Sequence, residues 1–279
     1  YKIAMIELPE AITISRQISE TLTGKTVTDV FQATNPSKFT FFSGNLDAYK
    51  SLLVGKKICS SKGMGIFVDI YFDKDICLSI SDGVKLKYGN NTSFIPPKYQ
   101  LLLTFDDETF LSFTVTMYGG IFAFQGQLDN IYHTKSFESI SPLSSQFTQN
   151  YFIQRLQKEK DNLSLKAFLA TEQRFPGIGN GVLQDILFRA ALNPRQKLVS
   201  LINVEKEQLY KSIKFVLSDM LAKGGRDTET DLFGKNGGYQ TILSKNTYKQ
   251  PCPVCKGELK KESYMGGAIY YCPNCQPVK

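Results

Sequence analysis

Histidine is almost missing: His133 is the only one in 279 residues, which leaves histidine-based catalysis without support. It is expected at the surface, at a domain boundary. No apolar run approaches the ~18 residues that a membrane-spanning helix needs, so no spanning segment is expected. The opening "YKIAMIELPEA" lacks the apolar stretch of a secretory signal. Met5 reads as a natural initiator preceded by added residues Tyr1–Ala4, and the protein is expected to be intracellular. Low-complexity tracts are absent too, and 42% apolar with 21% charged residues is ordinary for a globular protein. A chain of this length can bury a real core and suggests two domains, or one with a small appendage.

What is present is a basic excess, and it is local. Up to His133 there are 12 Lys/Arg against 13 Asp/Glu; from Thr134 onward there are 21 against 13. Such asymmetry favours a polyanionic partner for the second part, although a merely soluble basic surface gives the same count.

The apolar positions Ala11, Ile14, Ile18 and Leu22 recur at helical spacing over Pro9–Leu22, and Gly24 is placed to end that helix. Seven short β-rich runs follow: "KTVTDVFQA", "KFTFF", "GIFVDIYF", "DICLSI", "KYQLLLTF", "TFLSFTV" and "GIFAF". Turn residues separate them and no helix is expected between them, which predicts an antiparallel sandwich or barrel. Beyond Ser136–Gln146 the period becomes helical in "TQNYFIQRLQKE", "SLKAFLATEQRF", "NGVLQDILFRAAL" and "EKEQLYKSIKFVLSDMLAK". Thr148, Ser164 and Asn203 are candidate N-caps, and Gly224-Gly225 a candidate stop. The predicted class is α+β: residues 5–133 a sandwich with a leading helix, 134–147 a linker, 148–245 a helical domain, and 246–279 a metal module.

Cys252-Pro-Val-Cys255 and Cys272-Pro-Asn-Cys275 are separated by sixteen residues, a zinc-ribbon spacing. Each pair sits on a tight turn, and the two turns face each other at the base of a hairpin. Four thiolates would then enclose one structural Zn²⁺, whose binding, on the order of 10–16 kcal/mol, would be the main force folding so short a segment. Disulfides fit poorly with an intracellular chain, and a redox motif needs only one pair. Cys59 and Cys77 fall in strand patterns and are expected in the core.

"RFPGIGNGVLQD", Arg174–Asp185, raises the question of a phosphate cradle. Gly177, Gly179 and Gly181 give G-x-G-x-G after a predicted helix, not the G-x-G-x-x-G after a strand that a dinucleotide requires. A P-loop fails as well, because Ser19 stands where "GKT" at Gly24–Thr26 needs its first glycine. A helix starting near Asn180 would offer the amides around Gly179–Gly181 to an anion. The alternative is an αα-hairpin turn, with glycines for close packing and Asn180 as a cap.

"MIELPEA" at Met5, "GIGNGVLQDILF" at Gly177, the "GG…T…D…F…GGY" pattern over Gly224–Tyr239 and the CxxC pairs occur in one order. Together they resemble the formamidopyrimidine-DNA glycosylase/endonuclease VIII family over nearly the whole chain. The resemblance implies a β-sandwich, a helix–two-turn–helix domain and a β-hairpin zinc finger, with double-stranded, damaged DNA in the cleft between them. It further implies that Lys62 and Asn180, with Gly179 and Gly181 beside it, hold backbone phosphate. The segment from Arg226 to Tyr239 would lie near an extruded base, and Glu7 would do acid–base work. A monomer in a bacterial cytoplasm, associated with the nucleoid, is the expected setting.

Several positions depart from the family pattern. Its nucleophile is an N-terminal proline, and Ile6 stands there. A free α-amine titrates near about 7.7–8.0 and an ordinary lysine near about 10.4, so Lys62 as fallback nucleophile would need a strongly lowered pKa. "CLSISDG" carries Cys77 for a histidine and Ile80 for a methionine wedge; "MYGG" carries Met117 and Tyr118 for two arginines; Gly267 stands at the zinc-finger arginine. Ile80, Met117 and Tyr118 are candidates to fill the void left by an everted base, or are ordinary strand and turn residues. Two readings follow: a base-excision-repair DNA N-glycosylase with AP lyase action as a further step, and a lesion-binding protein that keeps the fold without base excision. RNA or tRNA binding is a third, weaker one.

Overall fold

The computed structural model describes residues 5–33 and 36–278; Tyr1–Ala4, read above as additions, lie outside them. Helix α1 (Leu8–Leu22) leads into strands β1 (Val27–Gln32) and β2 (Thr40–Phe42), then helix α2 (Ala48–Leu53). Strands β3 (Ile58–Met64), β4 (Phe67–Phe72), β5 (Ile76–Ile80) and β6 (Val84–Gly89) follow. β7 (Leu101–Phe105), β8 (Phe110–Val115) and β9 (Gly119–Gln125) complete the β part. Helices α3 (Ile131–Glu138), α4 (Gln149–Gln157), α5 (Leu165–Ala170), α6 (Val182–Arg189) and α7 (Asn203–Ala222) come next. A hairpin of β10 (Lys260–Tyr264) and β11 (Gly267–Tyr271) closes the chain.

The strands form two sheets, ordered β1-β7-β8-β6 and β2-β9-β5-β4-β3. Their facing sides, with Ala11, Ile14, Ile18 and Leu22 of α1, make one apolar core. The α+β class and the sandwich are as expected, with one correction: β2 pairs with β9 in parallel, Thr40 opposite Gly119. The long excursion between these two strands supplies the crossover that a parallel pair requires.

β3, β6 and the six-residue α2 extend the expected inventory. β3 reads "ICSSKGM", too polar for a half-buried run, and α2 is too short to display a period. α5 ends at Ala170, earlier than the sequence pattern implied. Glu172 and Gln173 adopt φ of 57° and 51°, and Arg174 donates to the carbonyls of Ala167 and Thr171, closing the helix end. α7 starts at Asn203, with Ile202 rather than Asn203 in the cap position.

A second core joins α4–α7, and a third, smaller one joins Phe188 and Leu243 to the cysteine module. Neighbouring residues divide between the first two: Ile6 packs into the sandwich and Leu8 into the helical core. Among the described residues, no helix is long and apolar enough to cross a membrane.

Two further expectations need correction. Cys59 is exposed, because the β3–β4 register shifts between Ile58 and Ser60 and turns it outward. His133 is not a surface residue. Its Nε2 lies 2.9 Å from Oδ2 of buried Asp69, and its ring stacks on Phe137 with Phe67 and Phe124 at its edges. It pins α3 to the five-stranded sheet.

Candidate nucleic-acid interface and metal centre

The glycine turn delivers its amides to an anion, but the anion is internal. Glu7 accepts from the backbone N–H of Gly179 at 3.2 Å, Gly181 at 2.7 Å and Val182 at 2.8 Å. The free N–H groups and dipole of α6 favour a negative charge at that point. A Cβ at Gly179 or Gly181 would come within 2.8 Å of the Glu7 side chain. The glycines are therefore required by the close seating of this carboxylate, and their N–H groups are not open to a phosphate, contrary to expectation.

Glu7 is itself 1% exposed, and burial raises its pKa against the pull of Arg226, with the charge of Glu10 adding to the rise. Arg226 donates to Glu10 through Nε at 3.0 Å and Nη2 at 2.9 Å, to the Met5 carbonyl at 2.9 Å, and to Glu7 at 3.4 Å. Its backbone N–H also goes to Glu10. Expected near an extruded base, Arg226 is committed to internal ion pairs. Tyr239 is likewise buried, bridging to Gly225 and Asp227 through its backbone. The segment between them is anchored in the sandwich by Leu232, whose carbonyl accepts from Tyr88.

A cleft of about 400 Å³ lies between the sandwich, the helical part and the hairpin. Met5, Met117 and Tyr118 line it from one side; Lys166, Asn180 and Gln184 from another. It thus brings together five of the sequence candidates: Met117, Tyr118, Asn180, Gly181 and Arg226. Lys62 is not among its lining residues. It stands exposed on β3, with Nζ 5.6 Å from the centre of the Phe137 ring. Ile80 is fully buried in the sandwich core, so it cannot act as a wedge. β5 is the middle strand of its sheet, and this side of it faces the other sheet.

Asn180 donates from Nδ2 to the Ala268 carbonyl at 2.9 Å, tying the glycine turn to the hairpin. Gln184, which sequence reasoning passed over, reinforces that joint by donating to Ala268 and accepting from the Tyr270 N–H. Lys166 was also missed; it reaches the Tyr264 and Gly267 carbonyls, and burial lowers its pKa. The available signal was a polar residue on the apolar stripe of each helix.

The four cysteine sulfurs all lie within 4.8 Å of one another. The pairs Cys252–Cys275 at 3.8 Å and Cys255–Cys272 at 3.4 Å are well beyond the ~2.05 Å of a disulfide, and the set fits a tetrahedral thiolate site. Gln276 fixes this end to the helical part, accepting from the Cys272 N–H and donating to the Leu192 carbonyl at 2.8 Å. The Arg195–Glu262 ion pair holds the hairpin from the side.

Comparison with known proteins gives this geometry its context. Residues 139–231 match the Formamidopyrimidine-DNA glycosylase H2TH domain. The formamidopyrimidine-DNA glycosylase of Bacillus cereus is 28% identical over 278 residues, covering 98% of this chain and 99% of that one. That of Listeria monocytogenes is 26% identical, covering 98% and 100%. The chain is thus similar to formamidopyrimidine-DNA glycosylases over nearly its whole length, and residues 139–231 match their H2TH domain. Solved structures share its fold. The MutM (Fpg) protein from Thermus thermophilus superposes with a TM-score of 0.81 at 23% identity, covering 98% of this chain and 99% of that one. Lactococcus lactis Fpg, in complex with DNA containing N7-benzyl-Fapy-dG, gives 0.82 at 21%, covering 97% and 99%.

Within a glycosylase-family frame, Ile6 is the position to account for. Its side chain is 4% exposed and packs into the sandwich, while Met5 before it reaches the cleft. At Gly267, a Cβ would stand 3.4 Å from Lys166 Nζ and 3.5 Å from the Asn180 amide.

Proposed function

We propose that this chain is a damaged-DNA-binding protein of base-excision repair, a DNA N-glycosylase that draws one nucleotide of a duplex into the cleft. The observation that carries the reading is the cleft itself. Met117 and Tyr118, 44% and 45% exposed, face Asn180 and the hairpin across a gap sized for a nucleotide. The relatives that span the whole chain are named as formamidopyrimidine-DNA glycosylases, and a solved neighbour holds Fapy-dG-containing DNA, which supports a damaged purine as one substrate class. The non-catalytic alternative is not favoured, because the cleft keeps an ionisable carboxyl group, Glu229, at its wall.

In this reading the basic second part follows the DNA backbone, with Lys62 and Asn180 toward phosphates and Met117 and Tyr118 toward the vacated stack. Glu7 positions the glycine turn, and Zn²⁺ is the ion held by Cys252, Cys255, Cys272 and Cys275. That ion would have four protein sulfurs and no open position, so its part is to fold the hairpin against Asn180. The working boundaries are 5–133, 134–147, 148–245 and 246–279, with Leu8 reaching into the helical core and Leu232 into the sandwich core. The setting is a monomer in a bacterial cytoplasm, in keeping with bacterial relatives.

The test uses duplexes carrying a formamidopyrimidine, an oxidised pyrimidine or a tetrahydrofuran abasic analogue. Lesion duplexes should bind more tightly than undamaged DNA, with affinity falling as salt rises, and should release free base. Absence of binding even in dilute salt would sink the proposal.

A further inference from the structure

We infer that Lys166, set on α5 beneath the turn of the hairpin, grips a backbone phosphate of the nucleotide held in the cleft, at the point that Gly267 leaves unfilled. The inference rests on the DNA-binding reading above and gives it a contact residue.

Three cationic side chains line the cleft: Lys166, Arg226 and Lys245. Arg226 is already paired with Glu7 and Glu10. Lys245 is exposed, where water competes for its charge. Lys166 differs from both. It is 4% exposed, and its ammonium donates to the carbonyls of Tyr264 and Gly267. An ammonium has three N–H groups, and among the described residues the third has no acceptor. Burial lowers the Lys166 pKa, and no neighbouring carboxylate offsets that fall. Bridging two carbonyls needs only a neutral donor. A buried charge without a partner of opposite sign is costly, and an arriving anion removes that cost.

A glycine marks the anion's place. Ser263–Tyr271 contains no lysine or arginine, so the hairpin turn itself brings no cation to the cleft. The point that a Cβ at Gly267 would occupy lies 3.4 Å from Lys166 Nζ and 3.5 Å from Asn180 Nδ2. Asn180 spends one hydrogen of that amide on the Ala268 carbonyl and keeps a second to donate. Gly267 is not among the residues with positive φ, so the backbone conformation does not demand a glycine here. Two donors, one of them charged, therefore converge on unfilled space at the cleft wall. A phosphodiester suits this pair: the ammonium gives a charge-assisted hydrogen bond and the amide a directed neutral one. Where water is partly excluded, such a bond exceeds its strength at an open surface.

The test uses the full chain and tetrahydrofuran duplexes in which one phosphodiester at a time, on either side of the analogue, is replaced by an uncharged methylphosphonate. Wild-type affinity should fall about tenfold or more at one position, as expected when a charge-assisted hydrogen bond is lost. Lys166→Met should lose a similar amount on the unmodified duplex and nothing further at that position. The slope of its affinity against salt should be shallower by about one phosphate contact. Because Lys166 also holds the hairpin turn, Gly267→Ala provides a second variant that leaves the lysine and its two carbonyl bonds in place. Its methyl group meets Lys166 and Asn180 at ordinary contact distance, so hydrogen exchange over the hairpin should be unchanged. Affinity for the unmodified duplex should nonetheless fall about tenfold, with no further loss at the same methylphosphonate, because the methyl occupies the phosphate's place. Lys166→Met remaining as sensitive as the wild type at every methylphosphonate, or Gly267→Ala binding as the wild type does, overturns the inference. A wild type that binds the lesion duplex with no such coupling removes this inference alone. Loss of lesion binding by the wild type removes the proposed function as well.

Discussion

Glu7 and Val182 stand 175 positions apart in sequence, yet the carboxylate of one accepts the backbone N–H of the other at 2.8 Å. This contact joins the residue before α1 to the first residue of α6, and so joins the sandwich to the helical part. Arg226 closes the joint by bonding to Glu7, Glu10 and the Met5 carbonyl.

Glu7→Gln should therefore destabilise the protein by about 2–4 kcal/mol, as expected when one partner of a buried, hydrogen-bonded charge cluster is neutralised. The glutamine would also turn an NH₂ group toward N–H donors. Denaturant unfolding of both proteins measures this. Unchanged stability with abolished base release would instead return Glu7 to the acid–base role expected from sequence.

Asp82 gives a pH signature. Burial and the charge of Glu7 push its carboxyl up to about 6, and among the described residues its side chain has no hydrogen-bond partner. The unfolded chain releases this proton near pH ~3.9, so between about pH 4 and 6 the folded state holds a proton that the unfolded state has lost. Stability from this group is present at low pH and declines as pH rises through 6. Asp82→Asn should then stabilise the protein at pH 8 by about 1–3 kcal/mol, a range kept wide because the residue is only half-buried. The gain should vanish near pH ~4. Thermal melts across that range decide it; an equal gain at both ends would exclude titration of Asp82 as the cause.

Where sequence reasoning succeeded, the signal was periodic or local. The α1 stripe of Ala11, Ile14, Ile18 and Leu22, and the two CxxC pairs, could be placed from spacing alone. The motif order carried the family. What stayed hidden was the destination of single polar groups. Nothing local to "GIGNG" says that its anion is a glutamate from the far end of the chain, nor that Arg226 faces inward. Cys59 was misplaced because a β-bulge inverts a strand's alternation without a marker in composition. Ile80 was offered as a wedge by alignment to a motif, whereas its place in the middle of a sheet made it core. The spacing of Glu7 and Glu10 was the one visible hint of the buried cluster.

The metal module predicts a separable defect. Its hairpin has only five residues in each strand, and its core is the smallest of the three. Cys252→Ser or chelation should unfold this module and release Asn180 and Gln184 from Ala268, while the sandwich keeps its structure. Hydrogen exchange should rise over residues 246–278 and at the glycine turn, with DNA affinity falling at least about tenfold, since folding of such modules is coupled to metal binding. Elemental analysis should find one zinc per chain in the untreated protein. A metal-free protein with a protected hairpin would refute the assignment.

Met117 and Tyr118 allow lesion recognition to be separated from general DNA binding. They occupy the connection between β8 and β9, and their exposure means that no core is lost when they are truncated. The backbone beneath them is fixed: the Gly119 N–H donates to the Phe39 carbonyl, and Gly83 packs so closely on the Tyr118 carbonyl that a Cβ there would overlap it. A rigid support of this kind lets apolar side chains enter a base stack without the entropic cost of ordering a loop. Truncation of both to alanine should leave stability within about 0.5 kcal/mol, as for exposed sites. Affinity for the tetrahydrofuran duplex should fall about 10–100-fold, the range expected for one or two lost stacking contacts. Undamaged duplex, held through phosphates, should bind within about threefold of the wild type. Anisotropy titrations at one salt concentration compare the two duplexes directly. An equal loss on both would place these residues on the backbone track instead of in the stack.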